Sequence, residues 1–312
     1  MIFIDWISTP HHENFNKSLF SALGLEHALC YIFHQKLVID QVACKYINTK
    51  SSRIARTLEV VKLCWKHKKE KIVFLTYDPL FLPIILIFNS DIVVYEHNTV
   101  PERLNNKHAI WQRLLLSRVK RMAQFKGQVS VLKALKQNVC FVGSPIFPPI
   151  KRKKLVKTSC KYYIAPNSYA SLSSIKDIIP FLIKNKKIMV KGSSDNLSSI
   201  ESKRVFTVQH IDLDGDYVNI CGVIVVVKSN IRGSGWFNDA ITFGLPIITT
   251  NRESEVLFLE NFPEYPFINL SEKIDENEFN AKLMEIAKFD SHSYVEKCNL
   301  NFKECFFQCC YN

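Results

Sequence analysis

Two rhythms of apolar residues alternate along the chain. Short unbroken runs suit buried strands, and residues recurring every three or four positions suit one face of a helix. Residues 1–7 open with Ile2, Phe3 and Ile4 and predict a first strand. Residues 11–25 follow with Phe15, Leu19, Phe20 and Leu23 at helical spacing. Residues 28–33 and 37–42 are short strand candidates. Residues 53–68 predict a helix with Ile54, Leu58, Val61 and Trp65 on one face. Residues 71–76 and 91–96 are unbroken apolar runs, read as buried strands, with a helix between them. Residues 109–126 predict a helix, and 128–131 and 138–142 two short strands.

A break follows. Residues 143–149 hold Pro145, Pro148 and Pro149, and then come Lys151, Arg152, Lys153 and Lys154. Proline removes a backbone donor and fixes φ, so this piece is expected to be extended and to mark a domain boundary. The alternation then restarts. Strands are expected at 161–165, 187–190, 205–208, 223–227 and 246–250, and helices at 173–184, 212–220, 238–243, 278–288 and 291–307. Strands alternating with helices argue for parallel sheets with right-handed crossovers. The expected organisation is an N-terminal Rossmann-like domain over 1–148, a second over 149–290, and a terminal helix over 291–312 that crosses back to the first domain.

Composition narrows the class of function. The chain has 312 residues, a formal charge of +12 and ten cysteines. The basic excess implies attraction to anions such as phosphorylated substrates, anionic lipid or nucleic acid. No nucleic-acid-binding signature accompanies it, so nucleic acid is not expected as a partner. Asp5 interrupts the apolar opening, which argues against a signal peptide. The scattered cysteines then fit free thiols in a reducing cytoplasm, with Cys305, Cys309 and Cys310 as incidental thiols rather than a metal site. The most apolar stretch, 80–95, is too short and too interrupted by Pro83, Asn89 and Asp91 to span a membrane.

The densest chemical signal lies between 223 and 250. A strongly β-branched strand leads to Lys228 and Arg232, then to Gly233, Ser234 and Gly235. Asn238, Asp239 and Ala240 open a helix, and Gly244 and Pro246 separate it from a further strand. A glycine turn between a strand's carboxyl end and a helix N-terminus offers backbone N–H groups and a helix dipole to a diphosphate. Lys228 and Arg232 supply positive charge, and Asp239 can accept hydrogen bonds from sugar hydroxyls. At the ends of other strands in the same domain, Lys191, Gly192 and Ser193 are further candidate phosphate contacts. Glycine turns also occur as plain structural turns.

The order of glycine turn, helix acid followed by alanine, and Gly-Leu-Pro before a strand resembles the donor segment of GT-B-fold glycosyltransferases. The match covers about twenty residues closely. It implies an α/β fold of two Rossmann-like domains with parallel sheets facing across a cleft. It also implies a nucleotide-sugar donor, linked to UDP, GDP or another nucleoside diphosphate, held with no bound cofactor or metal. Gly233, Ser234, Gly235, Asp239 and Ala240 map onto the pattern. Arg232 stands before the turn, where many retaining members carry a glutamate, so the two-glutamate donor clamp is not carried over and stereochemistry stays open.

In the first domain, Glu96, His97 and Asn98 follow the strand at 91–96. They resemble the same triplet in bacterial glycosyltransferases of surface polysaccharide synthesis, of the family 4 type that builds O-antigen and capsule. By that resemblance His97 binds donor sugar or phosphate, and Glu96 orients it. After the first strand, His11, His12 and Glu13 are candidates for the general base of an inverting reaction, with helix capping as the other role open to Glu13. The basic, tryptophan-bearing stretch 103–126 suits a helix lying on an anionic membrane or gripping a diphosphate-linked acceptor. The expected protein is thus a metal-independent hexosyltransferase, peripheral on the cytoplasmic side of the inner membrane, acting on a lipid-linked glycan. A non-catalytic accessory protein and a nucleotide-sugar epimerase of the same fold remain the alternatives.

Overall fold

The structure is a computed structural model of the chain. It describes residues 1–9, 12–25, 28–33, 39, 42–48, 52–97, 99–101, 104, 106–147, 160–166, 178–182, 186–191, 205–209, 211, 219–229, 231 and 235–311. Chain contacts divide it into two compact units, Met1–Phe147 with Cys298–Asn312, and Pro148–Lys297.

Unit 1 is a seven-stranded parallel sheet in the order β3-β2-β1-β4-β5-β6-β7. Its strands are β1 (Ile2–Asp5), β2 (Leu29–Phe33), β3 (Ala43–Ile47), β4 (Ile72–Thr76), β5 (Ile92–Glu96), β6 (Lys120–Ala123) and β7 (Asn138–Phe141). The crossovers carry α1 (His12–Leu23), α2 (Arg53–Lys66), α3 (Leu82–Ile85), α4 (Lys107–Leu115) and α5 (Lys126–Ala134). Side chains of a strand alternate between faces, and the core divides accordingly. Phe3, Val73, Val93 and Tyr95 pack with Leu19, Phe20 and Leu23 of α1. Ile4, Phe74, Ile92 and Val94 pack on the opposite face with Val60, Leu63 and Cys64 of α2 and Leu82 and Ile85 of α3.

Unit 2 is a six-stranded parallel sheet in the order β10-β9-β8-β11-β12-β13. Its strands are β8 (Tyr162–Ala165), β9 (Lys187–Lys191), β10 (Val205–Val208), β11 (Ile220–Val225), β12 (Ile247–Thr249) and β13 (Ile268–Asn269). The helices are α6 (Gly235–Thr242), α7 (Arg252–Asn261), α8 (Glu276–Lys288) and α9 (Ser291–Tyr311). Both sheets place their first strand beside their fourth, the Rossmann order. The expected α/β class with two parallel sheets is observed. From Cys298 onward α9 belongs to unit 1, where Phe302 and Phe306 enter the α1-side core. Asn299 there exchanges hydrogen bonds with the backbone N–H and carbonyl of Ile146, at 2.9 and 2.8 Å.

Several local expectations are corrected. Residues 109–126 are not one helix: α4 ends at Leu115 and β6 follows at Lys120–Ala123. Residues 128–131 lie in α5, not a strand, and the Gln128 side chain caps its start by accepting from the Gln124 and Phe125 N–H groups. On α2 the buried row is Thr57, Val60, Leu63 and Cys64, whereas Ile54, Leu58 and Trp65 are exposed. The third strand is Ala43–Ile47; of the run 37–42, only Ile39 and Val42 are among the described residues, and neither is in a strand. Ile220 opens β11 rather than closing a helix. Most of the helix expected at 173–184 lies outside the described residues, with a single 3-10 turn at Ile179–Phe181.

The expectation of thiols alone is also corrected. Cys140 of β7 and Cys309 of α9 form a disulfide. Among the described residues, no helix is long and apolar enough to cross a membrane.

Candidate functional site

The switch point of unit 1 lies between β1 and β4, where crossovers leave in opposite directions and the strand carboxyl ends open a crevice. Asp5 closes β1 and is fully buried. Its register to β4 shifts between Ile4 and Asp5, so that Asp5 faces Thr76. The Thr76 hydroxyl donates to Asp5 Oδ1 at 2.5 Å and also accepts from the Ile7 N–H at 2.8 Å. Asn16, one helical turn inside α1, donates through Nδ2 to Asp5 Oδ2 at 2.9 Å. Both carboxylate oxygens are therefore held in place.

His12, the first residue of α1, sits with Nδ1 3.5 Å from Asp5 Oδ1. Its ring stacks on that of His97, with centroids 5.5 Å apart and planes at 14°. His97 lies just past β5 and meets the Phe15 ring edge-on at 4.0 Å. Burial, helped by the neighbouring His12, pushes the His97 imidazole down to about 3, against the smaller opposing pull of Asp5. It is therefore neutral at ordinary pH. Three buried polar atoms of this cluster, His12 Nδ1, His97 Nε2 and Asn16 Oδ1, have no hydrogen-bond partner among the described residues. Buried polar atoms are rarely left so, and their clustering here suits a polar ligand. Glu13, next along α1, is half-buried, and its carboxylate accepts from Lys17 at 2.8 Å.

Glu96 faces the other way. It follows Tyr95 on β5, and since Tyr95 packs on the α1 face, Glu96 falls on the opposite, α2–α4 face of the sheet. It cannot orient the His97 ring from there. It is buried beside Arg121, whose Nε donates to Glu96 Oε1 at 2.6 Å. The Tyr77 hydroxyl donates to the same oxygen at 2.9 Å, and the Thr99 hydroxyl donates to Oε2. Arg121 also donates to Tyr77 at 2.5 Å, Gln112 at 2.9 Å and Gln137 at 3.3 Å. Every member of this cluster is engaged, which makes it a brace.

In unit 2 the switch point lies between β8 and β11. Lys191 ends β9 half-buried. Gly192, Ser193, Arg232, Gly233 and Ser234 lie outside the described residues. Gly235 begins α6, three residues earlier than the sequence pattern indicated, and a side chain there would meet open space. Asp239 falls in the second turn of α6 rather than at its start. Phe237 anchors the helix against Phe258 and Phe262 of the α7 region. Gly244 ends it at φ +56, with Leu245 N–H bonding to the Ala240 carbonyl at 2.8 Å and Gly244 N–H to that of Ile241 at 2.9 Å, a Schellman cap. At the carboxyl end of β12, the buried Thr250 hydroxyl has no partner among the described residues. Among the described residues, no three His, Cys, Asp or Glu side chains gather as a metal-binding group.

Sequence reading singled out His12 and His97, which the fold brings together, but passed over Asp5, Asn16 and Thr76. Asp5 carried a signal: an acid closing an otherwise apolar strand is costly to bury without purpose.

No protein-family model matches the chain, and no curated protein matches it in sequence. Its fold does match solved structures. Anabaena HepE in complex with UDP and glucose is similar with a TM-score of 0.70 at 9% identity, covering 98% of this chain and 98% of that one. HepE in complex with UDP-glucose gives 0.64 at 10% identity over 98% and 94%. A glycosyltransferase from Rickettsia africae gives 0.60 at 10% identity over 98% and 95%. At such identities the likeness is one of fold. The chain has the two-sheet parallel α/β fold of the GT-B glycosyltransferases.

Proposed function

We propose that this chain is a glycosyltransferase that moves a sugar from a nucleotide-diphosphate donor to a lipid-linked or glycan acceptor in bacterial surface-polysaccharide synthesis. The observation that carries the proposal is the Asp5–His12–His97 cluster at the switch point of unit 1, within a fold whose relative HepE has been crystallised with UDP-glucose. On this reading His12 is the general base. It takes the proton of an acceptor hydroxyl while that oxygen bonds to the anomeric carbon and the bond from that carbon to the diphosphate breaks. Asp5 stabilises the imidazolium that forms, as a buried carboxylate behind a catalytic histidine does. His97, neutral, offers a hydrogen bond to sugar or acceptor. This base role belongs to an inverting displacement. Glu96 serves as support, and Glu13 is left as a surface partner of Lys17.

The donor diphosphate is assigned to the amino end of α6, with Arg232, Gly233, Ser234 and Gly235, and with Lys191, Gly192 and Ser193. The leaving charge is then met by N–H groups, the helix dipole and cations, with no metal required. Asp239 accepts from donor hydroxyls. The proposed setting is the cytoplasmic side of the inner membrane.

A panel of nucleoside diphosphates and sugar nucleotides screened by thermal shift, followed by transfer assays with the best donor, tests the proposal. We expect at least one sugar nucleotide to raise the melting temperature, and Asp239→Ala to weaken that effect. If no member of the panel stabilises the chain, the donor assignment falls.

A further inference from the structure

The α2–α4 face of unit 1 has two apolar layers. The inner one closes the core on the sheet. The outer one faces solvent: Leu58 and Trp65 on α2, Ile84 in α3 and Ile87 just after it, and Ile110 and Leu114 on α4. Trp65 is 65% exposed, Ile87 79% and Leu114 70%. Singly exposed apolar residues are ordinary, but an outer row on three neighbouring helices is not. The helices are bound into one surface through the loop that precedes α3. Arg53 of α2 forms an ion pair with Asp78, and Trp111 of α4 donates its indole N–H to the Pro79 carbonyl at 3.1 Å. Beneath them Gln112 of α4 is pinned by Arg121 and donates to the Thr99 carbonyl at 2.6 Å.

The charge around these rows is mainly positive. Lys62 and Lys66 on α2 and Lys107 and Arg113 on α4 are exposed. The sequences of α3 and α4 contain no acid, and the one acid on α2, Glu59, is paired with Lys62 at 2.6 Å. A second copy docked face to face would set these cations against each other. An apolar row with basic side chains around it is instead complementary to a bilayer interface, with apolar side chains among the acyl chains and lysines at anionic headgroups.

We propose that this face docks unit 1 on an anionic lipid bilayer. It uses α4 but not β6 of the basic stretch 103–126, and most of its apolar contact comes from α2 and α3. The proposal does not depend on the sugar chemistry, because its readout is binding without turnover.

Vesicle flotation with the full chain tests it, using phosphatidylcholine alone and phosphatidylcholine mixed with phosphatidylglycerol. We expect recovery with the anionic vesicles, little with the neutral ones, and a decline as salt rises. The double variant Trp65→Ser with Leu114→Ser should lower partitioning at least about tenfold, the loss expected when large apolar side chains leave an interface. Lys66→Glu with Arg113→Glu should do likewise. Because these side chains are exposed, unchanged melting temperatures should confirm that all variants fold. Failure of the wild-type chain to float, or equal flotation of wild type and both variants, would overturn the proposal. So would a dimer in sedimentation equilibrium that the same variants dissociate while vesicles recover no protein.

Discussion

Glu96 and His97 are neighbours at the end of β5, yet they open onto two differently built regions. On the α2–α4 side, Glu96, Tyr77, Thr99, Gln112, Arg121 and Gln137 form a buried cluster in which the charges are paired and further hydrogen-bonded. On the α1 side, His12, His97 and Asn16 leave three buried polar atoms without partners among the described residues. A buried ion pair that is fully hydrogen-bonded holds geometry, and losing one member strands the other charge. Unpartnered polar atoms do the reverse: they cost stability in the empty protein and are positioned to act on something that arrives. On the proposed reading, one strand end thus separates a region built for stability from one that carries the chemistry.

The comparison can be broken by experiment. The largest effect is expected at the brace. Glu96→Ala should destabilise the protein by about 3–5 kcal/mol, because Arg121 is left charged and buried; equilibrium denaturation measures this, and a near-wild-type midpoint would remove the brace from the account. Across the strand, His12→Ala should leave stability nearly unchanged but slow transfer by roughly 10²-fold or more, the usual contribution of a general base. Steady-state rates with a saturating donor read that loss, and an equal loss of folding stability would make His12 structural instead.

The third effect is pH-dependent. Burial lowers the His97 pKa to about 3 from an ordinary value of 6.5. Between those values the unfolded chain binds a proton that the folded chain does not. Stability is therefore full above about 6.5 and is lost as pH falls toward 3. A denaturation series across that window should show a shallower acid decline for His97→Gln than for the wild type. The smallest effect is expected at the edge of the brace. Thr99→Val removes one hydroxyl donor to the Glu96 carboxylate and should cost about 1.5–2 kcal/mol, readable as a drop in denaturation midpoint with transfer rate unchanged.

How far these regions could be read from the sequence follows from the same contrast. Strands β4, β5 and β11 were legible because both their faces are buried and their apolar runs are unbroken. Strand β6 was not, since it begins Lys120-Arg121, and a fully buried arginine defeats any pattern that equates charge with surface. Strand β3 is an edge strand, mostly exposed, with too little apolar content to stand out. On α2 two apolar rows compete, and periodicity alone selected the outer one; only the packing shows that Val60, Leu63 and Cys64 face the sheet. In the candidate site, His12 and His97 were legible as polar residues at strand ends. Asp5 showed only as an acid closing an apolar strand; its role depends on Thr76 and Asn16, which reach it only through the register shift of β1 on β4 and the first turns of α1.

The placement of α9 has a consequence for biosynthesis. Unit 1 is discontinuous: its core includes Phe302, Phe306, Cys309 and Cys310, which are translated after the whole of unit 2. Ribosomes add about 5–20 residues per second, so the first sheet waits for roughly eight to thirty seconds between the making of residue 147 and the arrival of residues 298–312. Through that interval the apolar α1-side face that Phe302 and Phe306 cover stays open on the nascent chain, while unit 2 is free to fold. Completion of the first unit would thus follow completion of the second, the reverse of the order in which the two are begun.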